Sequence, residues 1–162
     1  MKRADLILSK IVTIETLQKQ VACWKTLGKK IAFTNGVFDI LHEGHISSLS
    51  QAASEGDYLI VAINADASVK RLKGENRPVN GQHARAIIMA SLLMVDAVII
   101  FDEDTPLELI KLILPDVLVK GGDYTLEKIA GAKEVIANGG KVVINPIIEG
   151  ISTTAIIARA KE

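Results

Sequence analysis

His42 and His45 are the residues of this chain best suited to chemistry. They flank Gly44 in the segment TNGVFDILHEGH (residues 34–45), where a short apolar stretch gives way to a run with helical spacing. Two histidines three apart at a helix start can present both imidazoles on one side. The free N–H groups and the positive dipole end of that helix lie beside them. Two imidazole donors backed by a dipole suit phosphate oxygens that gain charge during phosphoryl transfer. Gly36 and Gly44 let backbone and ligand come close. The plain alternative is two satisfied histidines near a turn, but a pair with two glycines at one junction favours the chemical reading. Zinc is the rival ligand. It needs three or four donors, and the remaining histidine and cysteine are His83 and Cys23. Cys23 is expected to fill a small buried apolar position on a distant helical face, so no metal ligands are assigned.

A second cluster lies near the other end. Ser152, Thr153 and Thr154 open a final helical run, and their hydroxyls with the free N–H groups can hold phosphate oxygens. A plain helix cap explains one hydroxyl but hardly three. Gly121 and Gly122 follow an apolar run and would let a nucleotide pack against backbone.

These residues need a scaffold, and the chain's periodicity supplies one. Residues 14–27 carry Leu17, Val21, Trp24 and Leu27 at helical spacing, and Gly28 can end that helix. Residues 31–34 are short, apolar and bounded by lysines and Asn35-Gly36, which predicts a first strand. The alternation continues with a helix over 44–55, a strand over 58–63, a short helix over 66–72 and a polar loop over 73–81. A helix over 82–95 follows, with an apolar face of Ile87, Ile88, Leu92 and Val95. Strands are predicted over 97–101, 116–119 and 141–144, and helices over 105–114, 132–138 and 153–161. Pro106 sits near the start of the helix over 105–114, and Pro115 stops it.

Strand and helix alternate about five times, which implies an α/β fold with a doubly wound, parallel, five-stranded sheet. Ligands of such sheets bind beyond the carboxyl ends of the strands, at the switch point. Chemistry is therefore expected in residues 35–45, 64–66, 120–123 and 146–154.

The bulk properties agree. A chain of 162 residues is the size of one domain, read here as an N-terminal helical extension (1–28) and a catalytic core (29–162). Hydrophobic residues make up 49% and aromatics only 4%, which favours Ile, Val and Leu strands covered on both faces over a half-exposed sheet. Nineteen basic residues balance nineteen acidic ones, so no broad surface for nucleic acid or membrane is indicated. A single cysteine fits a reducing compartment, and neither a signal peptide nor a membrane-spanning run is visible. A cytoplasmic location is expected.

The segment at 34–45 resembles the first signature, G-x-F-D-x-x-H-x-G-H, of the cytidylyltransferase-like nucleotidyltransferases. EGISTT (149–154) resembles their second signature. The likeness runs between them through ADASVK (65–70), RLKG (71–74), RPVN (77–80), Val95-Asp96 and VKGGD (119–123), and covers nearly all of residues 11–160. RPVN and LVKGGDY (118–124) are most similar to the adenylyltransferase domain of the bifunctional D-glycero-β-D-manno-heptose 1-phosphate kinase/adenylyltransferases.

The resemblance implies a Rossmann-like nucleotidyltransferase fold and a direct displacement. The phosphate of heptose 1-phosphate attacks the α-phosphorus of ATP, giving ADP-heptose and pyrophosphate. An anionic phosphate needs no Ser or Cys nucleophile, so positioning and charge neutralisation carry the rate. His42 and His45 match the triphosphate-binding histidines. Lys73, with Lys70 next, matches a lysine that approaches the phosphates, unless both belong to a solvated helix face. Asn35, Gly36, Val37, Phe38, Gly44, Lys120, Gly121, Asp123, Ser152, Thr153 and Thr154 are expected around the nucleotide. Asp39, Asp66, Arg77, Arg85 and Asp96 are expected near the acceptor, with Arg85 on its phosphate. Asp39 reads equally as a turn cap, Asp66 as a helix cap and Asp96 as a strand-entry residue. Mg2+ is implied, carried mainly by the triphosphate. A homo-oligomer is implied too, with Trp24 packing on a neighbour or on its own core. No kinase half lies in these residues, so a separate heptose kinase is expected, and the product would feed lipopolysaccharide or a similar surface glycan.

Glycerol-phosphate cytidylyltransferases carry Arg-Thr-Glu-Gly before Ser-Thr-Thr, and their arginine helps read CTP. Here Ile147-Ile-Glu-Gly150 stands instead, which argues for ATP. Three alternatives stay in view: a glycerol-3-phosphate cytidylyltransferase, a non-catalytic nucleotide-binding module, and a piece of a class I aminoacyl-tRNA synthetase. The intact histidine and Ser-Thr-Thr clusters weigh against the second. The missing Lys-Met-Ser-Lys-Ser-like loop weighs against the third.

Overall fold

Every second residue of the central strands faces one of two apolar layers, and this period sets the architecture. The computed structural model describes residues 5–122, 124–146 and 152–160. In chain order the helices are α1 (Leu6–Ser9), α2 (Ile14–Thr26), α3 (Glu43–Ala53), α4 (Asp66–Lys73), α5 (Gln82–Ala90), α6 (Leu107–Ile113), α7 (Ala132–Ala137) and α8 (Thr153–Arg159). The strands are β1 (Ile31–Gly36), β2 (Tyr58–Asn64), β3 (Ala97–Phe101), β4 (Val117–Gly121) and β5 (Lys141–Asn145). They form one five-stranded sheet in the order β3-β2-β1-β4-β5. All four pairings are parallel, which is the doubly wound arrangement expected.

Ile31 and Phe33 of β1, with Ile60 and Ala62 of β2, pack under Leu17 and Val21 of α2 and Ile110 and Ile113 of α6. Ala32, Leu59, Val61 and Ile63 face the other way, against Leu49 and Ala52 of α3 and Ala86, Met89 and Ala90 of α5. Carboxylates fasten the amino-terminal edge of the sheet. Asp57 accepts the Lys30 N–H at 2.8 Å, Asp116 the Ile31 N–H at 2.8 Å and Asp96 the Leu59 N–H at 2.7 Å.

Several local expectations change. α5 stops at Ala90, and turns over 91–94 bring buried Val95 into line with β3. Its buried face is Ala86, Met89 and Ala90, whereas Ile87, Ile88 and Leu92 are only half-buried. Cys23 is exposed rather than buried, because α2 turns Leu17 and Val21 inward and leaves Cys23 on its outer side. Trp24 stacks on Tyr58 of its own chain, with centroids 4.2 Å apart and planes 10° apart. Gly28, at φ +68°, closes α2: its N–H reaches the Lys25 carbonyl and the Lys29 N–H reaches that of Trp24. The short helix α1 was not expected. The segment after it pairs with the β3 edge, Val12 N–H donating to Val98 O at 2.9 Å and Val98 N–H to Lys10 O at 2.7 Å. This covers part of an edge that would otherwise be open to pairing. Among the described residues, no helix is long and apolar enough to cross a membrane.

Candidate active site

The sheet reverses its winding between β1 and β4, so the loops leaving these two strands bound a crevice. Gly36 ends β1, and a Cβ there would sit 3.0 Å from the Phe38 ring. Phe38 holds φ +49°, a left-handed backbone that a bulky residue rarely adopts. Its ring is nearly buried and meets His45 edge-on, with centroids 5.2 Å apart. His42 has an extended backbone at the start of α3, which places His45 in the first helical turn. The two imidazoles stack at 3.8 Å between centroids with 22° between planes. A Cβ on Gly44 would lie 3.1 Å from the His42 ring, so glycine there leaves room for the stack.

Burial sets the electrostatics of the pair. It pushes the pKa of His45 down to about 4, the neighbouring His42 adds to the effect, and the Ile40 backbone opposes it. Burial also lowers that of His42, against the pull of Glu43. Both rings are therefore neutral at pH 7 in the free protein. The Nδ1 atoms of both are buried and make no hydrogen bond of standard geometry among the described residues, although the Ile40 backbone is near enough to His45 to act on its charge. Unsatisfied polar atoms are rare in folded proteins and concentrate where function requires them.

The far wall comes from α8 and β4. Ser152 caps α8 by accepting the Ala155 N–H at 3.1 Å. The Thr153 hydroxyl donates to Ile40 O at 3.4 Å, which ties this turn to the loop carrying the histidines. Gly121 lies against Ser48, where a Cβ would stand 3.0 Å from the hydroxyl oxygen. The Lys120 ammonium reaches Asn35 Oδ1 at 3.2 Å, and burial lowers its pKa. The crevice has two chambers of about 460 and 340 Å³.

A buried polar network braces the histidine loop. The Asp39 carboxylate accepts the N–H of Val79 at 2.9 Å, the N–H of Asn80 at 2.8 Å and Arg77 Nε at 2.7 Å. Burial alone would raise its pKa, but these donors outweigh burial and hold it below the usual carboxylate value. The Arg85 guanidinium donates to Asn80 O at 2.9 Å, Val37 O at 2.8 Å and Asp66 Oδ1 at 2.6 Å.

Comparison with known proteins places this geometry. The family model described as cytidylyltransferase-like matches residues 33–159, which takes in both histidines, Lys120 and the Ser-Thr-Thr turn. The chain belongs to the cytidylyltransferase-like family. It is 55% identical over 150 residues to the bifunctional protein HldE of Caulobacter vibrioides, covering 93% of this chain and 31% of that protein. It is 54% identical over 152 residues to HldE of Shigella sonnei, covering 94% and 32%. The chain thus spans about a third of the length of the curated relatives it matches. The structure of a lipopolysaccharide core biosynthesis protein from Thermoplasma volcanium aligns with TM-score 0.59 and 29% identity, over 74% of this chain and 97% of that one. Pantoate-beta-alanine ligase from Francisella tularensis aligns with TM-score 0.61 and 18% identity, over 93% and 76%, which supports the fold alone.

Within this cytidylyltransferase-like fold, most of the expected residues converge. Asn35, Gly36, Val37, Phe38, His45, Lys120 and Thr153 line both chambers. His42, Gly44, Gly121 and Ser152 line the smaller one, and Asp39, Lys73, Arg77 and Thr154 the larger. Three acceptor-site expectations are corrected. Arg85 has no exposed surface, because the three acceptors around it draw it into the space behind the loop. Asp66 directs its carboxylate to Arg85 instead of capping α4 or lining the crevice. Asp96 serves the amino-terminal edge of the sheet, the end away from the crevice, as a strand-entry residue. Asp123 and residues 147–151, which include the Ile147-Ile-Glu-Gly150 departure, lie outside the described residues.

Asn64, Asp104, Thr105 and Lys128 also line the larger chamber. Asp104 and Thr105 follow β3, so the strand-end rule would have found them had the segment after the third strand been searched. Lys128, on the short 3-10 turn Leu126–Lys128, had no signal in sequence. Among the described residues, no three His, Cys, Asp or Glu side chains gather as a metal cage.

Proposed function

We propose that this domain is a nucleotidyltransferase that joins ATP to D-glycero-β-D-manno-heptose 1-phosphate, forming ADP-heptose and pyrophosphate. The stacked imidazole pair carries the reading: His42 and His45 face one crevice with the Ser152–Thr153 turn at the sheet's switch point. An oxygen of the sugar phosphate bonds to the α-phosphorus, the bond to the bridging oxygen breaks, and the electron pair leaves with pyrophosphate. No proton has to move, so the histidines need only donate hydrogen bonds to oxygens gaining charge. Imidazoles held in a fixed stack on the crevice wall are already oriented for this, and donors of that kind contribute strongly. Thr153 and Thr154 face the same crevice and complete the phosphate cradle.

The described residues suit a magnesium ion that arrives on the triphosphate. Asp39 and Asp104, the carboxylates lining the crevice, are already bonded to Arg77 and Arg71. When bound, the ion supplies counter-charge to the phosphate oxygens, and removing it with EDTA is expected to stop turnover. A cytoplasmic enzyme that works as a homo-oligomer and receives its substrate from a heptose kinase completes this reading. HldE of Caulobacter vibrioides is named bifunctional, and this chain matches only 31% of it, which leaves room there for a second activity.

Pyrophosphate release tests the proposal directly. The protein is incubated with ATP or CTP and with heptose 1-phosphate or glycerol 3-phosphate, four combinations in all. Turnover is expected with ATP and heptose 1-phosphate. Turnover confined to CTP and glycerol 3-phosphate would replace the proposal with the cytidylyltransferase reading.

A further inference from the structure

The two chambers of the crevice share a wall. His42, Gly121 and Ser152 belong to the smaller chamber alone, and Lys73, Arg77 and Lys128 to the larger alone. Among the described residues, Lys120 is the one lysine or arginine lining both. A reaction between two bound molecules has to take place where their compartments meet.

Lys120 also differs from the arginines around the crevice in its partners. Arg77 pairs with Asp39, Arg85 with Asp66, and Arg71 with Asp104. Among the described residues, no carboxylate pairs with Lys120. Its ammonium has the Asn35 side-chain oxygen at 3.2 Å, the Asn35 carbonyl at 3.5 Å and the Tyr124 ring centroid at 5.5 Å. Asn35 and Lys120 stand at the carboxyl ends of β1 and β4, the neighbours on either side of the switch point. A half-buried ammonium among neutral oxygens is poorly compensated until an anion arrives. Lys73 and Lys128, by contrast, are exposed and solvated.

We propose that Lys120 is a catalytic residue whose ammonium touches both the acceptor's phosphate and the α-phosphate of the triphosphate as they meet. The inference rests on the adenylyl-transfer reading and deepens it. The attacking phosphate and the triphosphate are both anions, and their repulsion peaks as the new oxygen–phosphorus bond forms and the pyrophosphate bond breaks. A fixed positive charge at the junction offsets this repulsion without moving a proton. The lowered pKa of the amine in the free protein accords with a site that lacks its counter-ion.

The competing role is structural, with Lys120 simply tying β4 to β1 through Asn35, and the two roles give different results. Lys120→Met keeps the bulk and removes the charge. It should melt at or above the wild-type temperature and lose roughly a hundredfold or more in kcat, the scale of a lost electrostatic donor. Its Kd for ATP should rise by less than about tenfold, and Lys120→Arg should recover part of the rate. A kcat within about threefold of wild type, or melting several degrees lower, overturns the inference. If wild type fails to turn over ATP with heptose 1-phosphate, the adenylyl-transfer reading fails, and inorganic pyrophosphate then judges Lys120 separately. A rise in melting temperature with pyrophosphate that is present in wild type and lost in Lys120→Met keeps its anion-binding role. Equal rises, or none in either protein, remove it.

Discussion

Replacing Gly44 with alanine should separate activity from stability. An alanine Cβ would stand 3.1 Å from Cε1 and Nδ1 of His42. Comfortable carbon contacts begin at about 3.5 Å, so the ring must retreat by roughly 0.4 Å. A misplacement of about 1 Å in a reacting group costs on the order of a hundredfold in rate, which scales to roughly three- to thirtyfold here. The ceiling is the hundredfold to thousandfold loss expected when an imidazole donor is removed outright, as in His42→Ala. The backbone has no objection to the change, because Gly44 is not among the glycines held at positive φ. Alanine is favoured over glycine within helices by up to about 1 kcal/mol, less in the first turn. The melting temperature should therefore hold or rise by as much as about 2–4 °C. Pyrophosphate release and thermal melting measure the two quantities on one preparation. Adding Gly44→Ala to His42→Ala should change kcat no further, since the effect acts through that ring. Wild-type turnover in Gly44→Ala, or a full extra loss on top of His42→Ala, would refute the reasoning.

Further expectations follow from burial and position. His45 has a folded pKa of about 4 against an ordinary 6.5, so between these values the unfolded chain binds the extra proton. Stability should then fall as pH drops from 6.5 toward 4, and His45→Asn should flatten that part of a melting-temperature profile. Triphosphate should draw protons onto the imidazoles, which calorimetry at pH 6 in buffers of different ionisation enthalpy would register as uptake. Arg85→Met leaves the partly exposed Asp66 unpaired and two part-buried carbonyls without their donor, and should lower unfolding free energy by about 1–3 kcal/mol in urea titration. Asp96→Ala should cost about 1–2 kcal/mol through the lost acceptor for the Leu59 N–H, while kcat/KM stays within about twofold of wild type.

Much of this protein was legible in its sequence because the signals were local. Continuous short apolar runs marked the strands that are buried on both faces. The spacing of Leu17, Val21 and Trp24 with Gly28 defined a helix and its end, and two histidines around Gly44 marked a helix start that lines the crevice. The crossover rule then indicated where the crevice lies. These inferences use only period, chirality and backbone freedom, and all of them act over a few residues.

Partners distant in sequence are not encoded that way. Nothing near Arg85 announces that Val37, Asn80 and Asp66 will close around it and take it away from the crevice. Nothing near Asp96 says that Leu59, 37 positions away, will stand beside it at the end of the sheet away from the crevice. Charge type was readable from the residues, but direction and desolvation depend on which chain segments pack together. Only the folded sheet decided that Lys120 stands without a carboxylate partner among the described residues, and that the two imidazoles stack neutral in a shared crevice.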